Sequence, residues 1–203
     1  LECSGLTLEF ADEAAGLGLQ RLAAHGQPLV ASQDPKPLLW RIELRSEDKA
    51  AKPITLDNRV AAKVSATASK EGLALRWDQI ALPDEPSIMA VEVRIVRKDA
   101  AALTEWNIEV ECRSRRYGIW DVSFPVMANV GPDARPDVAV SRGNWGMLYR
   151  ECPQRQAGSY PSYEWPMQFL CVNRGESGLY LACHDPQAWP KRFSLNPLGE
   201  FHF

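Results

Sequence analysis

Histidine is scarce in this chain: only His25, His184 and His202 occur, and none stands in an HxH, HExxH or comparable spacing. A metal site built on imidazoles is therefore not expected. Five cysteines, Cys3, Cys112, Cys152, Cys171 and Cys183, are widely spaced with no CxxC pair, which excludes a zinc signature and a disulfide framework. At most one disulfide is expected. Cys112, Cys171 and Cys183 sit inside apolar strand patterns, where a thiol acts as a small buried hydrophobe. No GxSxG elbow, Walker loop or GxGxxG is present, so hydrolase triads, phosphate cradles and dinucleotide sites lose their usual signatures and no cofactor is expected.

Long apolar runs are missing too: none approaches the roughly 20 residues that cross a bilayer, so no membrane span is expected. The chain opens without a basic n-region and apolar h-region, so any signal peptide is expected to be absent from these residues. The 23 basic residues are scattered and the formal net charge is -3, which removes the electrostatic footprint of a nucleic-acid binder. The one basic cluster, Arg113, Arg115 and Arg116, reads as a solvated strand end.

What the chain does have is alternation. In TEWNIEVECR, Trp106, Ile108, Val110 and Cys112 share one face and Glu105, Asn107, Glu109 and Glu111 the other, a split that a helix cannot produce. The same parity turns Leu38, Trp40, Ile42 and Leu44 inward, then Met89, Val91, Val93 and Ile95, then Trp120, Val122, Phe124 and Val126. LALRWDQI, QFLCV, GLYLAC, LTLEF and LGLQRLA are further strands. Turn signals separate them at His25-Gly26, Pro83-Asp84, Gly131-Pro132 and Arg174 to Gly178, the last closing a hairpin. Only EDKAAKPITLDNRVAAKV suggests a helical turn or two. Many short strands with fifteen prolines, thirteen glycines and no βαβ rhythm predict an all-β fold, a large antiparallel two-sheet sandwich with few or no helices. Residues 1–203 are expected to form one such domain, with 127–166 as a long connection rich in aromatics, Pro and Gly. The abrupt close on FSLNPLGEFHF suggests an excised part of a longer chain.

Glycoside hydrolysis needs two converging carboxyls. Asp121, Glu164 and Asp185 stand in unusual settings, but structural roles are expected for them, an Asx-type turn in the case of Asp185 before Pro186. No catalytic residue is assigned. Sugar sites combine exposed rings with carboxylate, amide or imidazole groups. Trp145, Tyr160, Tyr163, Trp165, His184, Asp185, Trp189 and Lys191 make such a collection and are the candidates for carbohydrate binding or a domain interface. Within YPSYEWPMQF, Tyr160, Tyr163 and Trp165 are expected on display between Pro161 and Pro166, with Met167 and Phe169 inward.

The order of these features resembles a known family. GLGLQRLAAHGQPLV followed by PLLWRIELR looks like the start of the galactose-mutarotase-like supersandwich. WGMLYRE, GSYPSYEWPMQFLCV, GLYLACHDP and WPKRFSL resemble the N-terminal β-domain of bacterial glycoside hydrolases and related glycosidase-like proteins, with the specific part confined to residues 145–195. Tyr160, Pro161, Met167, Gln168, Tyr180, His184 and Asp185 are the family-like positions. The resemblance implies a noncatalytic domain supporting a downstream catalytic barrel of the same parent chain, with residues 158–166 and 184–191 near the rim of the barrel's site, where an oligo- or polysaccharide could be met. It also implies a secreted or periplasmic setting. A stand-alone carbohydrate-binding module is the alternative. Aldose mutarotases share the fold and use a histidine acid with a carboxylate base, but here only His184 occupies a comparable position, a departure from that pattern.

Overall fold

A computed structural model describes residues 1–3, 5–48, 50–82, 85–98, 103–130, 135–152, 155–174, 177–195 and 201–202. The chain is all-β, and every strand pairing is antiparallel. β1 (Glu2–Cys3), β2 (Leu6–Phe10), β3 (Leu19–Ala24) and β4 (Gln27–Ala31) form one sheet in sequence order. His25 and Gly26 both carry positive φ, 49° and 82°, so the expected two-residue turn joins β3 to β4 with a twist that matches the strands. β5 (Arg41–Ser46) and β6 (Ile54–Asp57) begin a second sheet. A meander follows from β7 (Lys63–Ala68) through β8 (Gly72–Leu82) and β9 (Glu85–Lys98) to β10 (Leu103–Cys112). β11 (Tyr117–Ser123) then returns to pair with β5.

The stretch expected to turn helically holds β6 and β7 instead; its β-branched residues suit strands, and Pro53, just before β6, disfavours a helix. The helical content among the described residues is a single 3-10 turn, Glu13–Ala15, capped by the Asp12 carboxylate accepting from the Ala15 N–H at 2.8 Å. The connection predicted for residues 127–166 is also woven into sheets. β12 (Val126–Met127), β13 (Asp137–Arg142), β14 (Trp145–Tyr149) and β15 (Gln156–Tyr160) cross it. β16 (Phe169–Arg174) and β17 (Ser177–Ala182) form the expected hairpin, and β18 (Lys191–Leu195) and β19 (Phe201–His202) complete the chain. The resulting sheets run β12-β19-β18-β15 and β14-β13-β16-β17. Hydrogen-bonded pairing among the described residues falls into five antiparallel sheets, consistent with the expected all-β sandwich. The turns expected at Pro83-Asp84 and Gly131-Pro132, and residues 196–200 of FSLNPLGEFHF, lie outside the described residues.

Inward parity holds for Trp40, Ile42, Leu44, Met89, Val91, Val93 and Ile95, all buried. In β10 the parity holds but burial is partial, since Trp106 tilts between Phe10 and Phe124 at centroid distances of 6.3 and 6.1 Å near the edge of its sheet. Trp120 breaks the expectation. A bulge between Ile119 and Asp121 leaves it without a partner on β5 and 63% exposed, with the Arg45 guanidinium 4.0 Å from its ring. A bulge in β8 does the opposite: Gln79, at φ 57°, is the extra residue that lets Trp77 and Ile80 both face the core.

One buried polar group ties this core together. Asn58 is 0% exposed; its Nδ2 donates to the carbonyls of Gly16 at 2.9 Å and Pro37 at 3.0 Å, and its Oδ1 accepts from the Leu39 N–H at 2.9 Å. Trp77 Nε1 donates to the same Gly16 carbonyl at 3.0 Å and meets Trp40 edge-on at 5.7 Å. Asn58→Ala strands the Leu39 N–H and weakens two carbonyls, and is expected to cost about 3 kcal/mol. The measurement is a urea midpoint with unchanged slope; a loss below about 1 kcal/mol would contradict the clamp.

Candidate functional site

The second half of the chain is organised by Trp165. Its indole is 2% exposed, against the expectation of a displayed ring, and packs edge-on to Phe193 of β18 with centroids 4.3 Å apart. It lies so close to β15 that a Cβ on Gly158 would fall 1.9 Å from Trp165 Nε1; only a residue without a side chain fits there. The loop carrying it is closed by Ser162, whose carbonyl accepts from the Trp165 N–H at 3.2 Å and whose Oγ accepts from it at 3.1 Å. The parity expected for the following strand is reversed, and the alternation is reset in the non-strand residues 161–168 that carry Trp165 and precede β16. Leu170 and Val172 are buried, whereas Met167 is 52% exposed and Phe169 is half-buried on the outer side.

That reversal builds a groove. Phe169 on β16 and Tyr180 on β17 stack at 6.1 Å with a 29° interplanar angle, although their backbones are diagonal neighbours across the hairpin. Met167, Pro166 and Tyr160 extend this apolar surface, and Gln168, His184 and Asp185 supply its polar side. The space they enclose is open to solvent and about 550 Å³ in volume.

Asp185 anchors the far side. Its Oδ1 accepts from the Gln187 N–H and its Oδ2 from the Trp189 N–H, both at 2.9 Å, so the expected Asx-type turn is present. Lys191 Nζ donates to Oδ2 at 2.5 Å and to the Trp189 carbonyl at 2.9 Å, and lies 5.9 Å from the Tyr160 ring. The Lys191 ammonium, followed by the Gln187 and Trp189 N–H groups, holds the Asp185 carboxyl below its ordinary value of 3.8. Burial pushes the adjoining Cys183 thiol up. Gln168 Nε2 donates to the Asp185 carbonyl at 3.3 Å, while its Oε1 is buried without a hydrogen-bond partner among the described residues. Glu105 of β10, ion-paired with Lys98 and held low by that bond, also feels the charge of His184.

Tyr160, His184, Asp185 and Lys191 are therefore brought together, with Trp189 beside them, exposed and bonded through Nε1 to Gln187 Oε1 at 2.6 Å. Trp145 and Tyr163 are exposed at 80% and 77% but do not line the groove, and Trp165 belongs to the core. Asp121 and Glu164 are exposed, Asp121 accepting from Ser123 Oγ at 3.4 Å. Cys112, Cys171 and Cys183 are free but only half-buried, correcting the expectation of buried thiols: Cys112 ends the edge strand β10, Cys171 alternates with the buried Leu170 and Val172, and Cys183 follows the end of β17; the buried thiol among the described residues is Cys152. Sequence reasoning missed Phe169 as a site residue and placed Met167, Gln168 and Tyr180 only among the family-like positions. The alternation of GLYLAC, with Leu179 and Leu181 on one face and Tyr180 on the other, held that signal; QFLCV, apolar in both parities, held none. Compared with protein-family models and with curated proteins, the chain matches none.

Two outcomes check this geometry. Gly158→Ala is expected to displace Trp165, lowering stability by about 1–3 kcal/mol and red-shifting tryptophan emission; an unshifted spectrum with native stability would refute the close packing. The stabilisation from Asp185 is present above pH 3.8 and lost as pH falls through its lowered folded value. An acid titration of the 184–191 amide resonances should show that step in the native chain and lack it in Asp185→Asn.

Proposed function

We propose that this chain is a noncatalytic β-sandwich domain of the galactose-mutarotase-like kind, serving a glycoside hydrolase by standing beside its catalytic barrel and offering a groove to carbohydrate. The observation that carries the reading is the stacked Phe169–Tyr180 pair with Met167 beside it, bordered by Asp185, His184 and Gln168. A sugar ring has an apolar C–H face and a rim of hydroxyls, and a flat ring platform next to hydrogen-bonding groups is complementary to both.

The state of Asp185 supports a binding rather than a bond-cleaving role. Both of its oxygens already accept hydrogen bonds, and Lys191 neutralises it. A glycosidic acid or nucleophile needs a second carboxyl at about 5–9.5 Å and freedom to exchange a proton or bond a sugar carbon. Exposed Trp145, Met147 and Leu148 on β14, an edge strand, together with Tyr163, give the neighbouring barrel an apolar surface to rest against. By contrast, the meander's outer face carries Arg76, Asp78, Glu92 and Arg94 in an ion-pair network that suits water.

A glycan-panel titration of the chain followed by tryptophan fluorescence is expected to give saturable binding, weakened about tenfold or more in Tyr180→Ala and Trp189→Ala. No response to any glycan would sink the carbohydrate part. The coding sequence beyond residue 203 is expected to specify eight βα units with two carboxylates at strand C-terminal ends, and a stop codon there would sink the accessory-domain part.

A further inference from the structure

We infer that the groove is one end of a longer binding track, continued by Cys171, Ala139 and Leu148, which takes a chain of linked sugars lying across the strands rather than a single ring. This rests on the carbohydrate reading and names the ligand's form and the rest of its site. The register of the sheet carries the inference. Tyr180 pairs with Cys171, Cys171 with Ala139 and Ala139 with Leu148, so these four residues make one row from β17 across β16 and β13 to β14. The strand neighbours of Cys171 and Ala139, namely Leu170, Val172, Val138 and Val140, are buried, which puts the row on the outer face of the sheet. Tyr180 and Leu148 at its two ends are each 51% exposed, while Cys171 and Ala139 between them are small and half-buried. A low apolar floor thus leaves the Phe169–Tyr180 platform and crosses three strand spacings, about 14 Å, to the β14 edge.

The next row along the strands is polar. Gly178, Asn173 and Asp137 pair in the same order. The carboxamide of the exposed Asn173 lies over Gly178, its Oδ1 3.2 Å from where a Cβ would stand, and the Asp137 carboxylate accepts from the Arg150 guanidinium and from the Glu151 N–H at 2.9 Å. An apolar floor bordered by an amide and a paired carboxylate repeats the chemistry of the groove, where Phe169 and Tyr180 are bordered by Gln168 and the Asp185–Lys191 pair. Linked sugars present the same combination of C–H face and hydroxyl rim at every ring, so a chain finds along the row what its first ring finds in the groove. Neither Ala139 nor Leu148 lines the groove, so a single ring held there touches neither. Leu148 stands on the edge strand against which the proposed barrel rests, and the track therefore runs from the groove toward that barrel.

The test titrates the whole chain by calorimetry with glucan, galactan and mannan oligomers of increasing length, from the single hexose upward. Binding is expected to tighten about tenfold or more between the single hexose and the longer oligomers. Ala139→Ile raises the floor on the outer face, where a β-branched residue suits a strand, and is expected to remove that gain while leaving binding of the single hexose unchanged. Backbone amide spectra confirm that the variant is folded. Peptide-resolved alkylation gives a second reading: the single hexose slows modification of Cys183, which lines the groove, whereas only the longer oligomers slow that of Cys171. Affinity independent of length, a length gain undiminished in folded Ala139→Ile, or Cys171 left unprotected by the oligomers overturns the extended track while leaving carbohydrate binding in the groove intact. Absence of binding at every length overturns the carbohydrate reading itself.

Discussion

The buried carboxamide of Asn58 is the constraint on which the first half of the molecule depends. Three backbone groups from two separate segments converge on it, and the Trp77 indole shares one of their carbonyls. A polar side chain at zero exposure is tolerated only when each of its groups is met, and here that requirement dictates where the 3-10 turn and the Pro37–Leu39 segment run. Leu39 in turn accepts from the Val126 N–H at 2.7 Å, and Asn129 Nδ2 donates to the Ala31 carbonyl at 3.0 Å. The second half of the chain is thereby fastened to the first by hydrogen bonds to backbone carbonyls, and its hydrophobic residues join the same buried cluster.

In the second half a steric relation takes over. Trp165 occupies the room left by Gly158, and β16 buries Leu170 and Val172 beside it. Phe169 is turned outward onto Tyr180, so the same packing that fills the core also furnishes the ring platform of the groove. Core and groove are the two faces of one choice of strand parity.

How much of this was legible follows from the same physics. β9 and β10 declared themselves because charged residues alternate with apolar ones, leaving one choice of face. The all-β class, the β3–β4 turn and the β16–β17 hairpin followed from local chemistry. Trp120 was misplaced because a bulge shifts parity by one and leaves no residue-level mark. Trp165 was misplaced because its surroundings, Pro166 and two tyrosines, suggest a displayed loop, whereas its burial depends on a glycine seven positions earlier on another strand. His184, Asp185 and Lys191 were rightly grouped by proximity in sequence; their partnership with β16 is a property of the hairpin register.

Gln168 leaves one hydrogen bond unmade. Its amide nitrogen is spent on the Asp185 carbonyl, and its oxygen is buried without a donor among the described residues. An unmet buried acceptor of this kind is worth about 1–3 kcal/mol. The resting groove therefore sits above its lowest attainable energy, and the loop from His184 to Trp189 is where a small rearrangement gains the most. Any hydrogen-bond donor that reached this oxygen would recover that energy, so the groove holds one acceptor whose pairing would gain more than an ordinary surface contact.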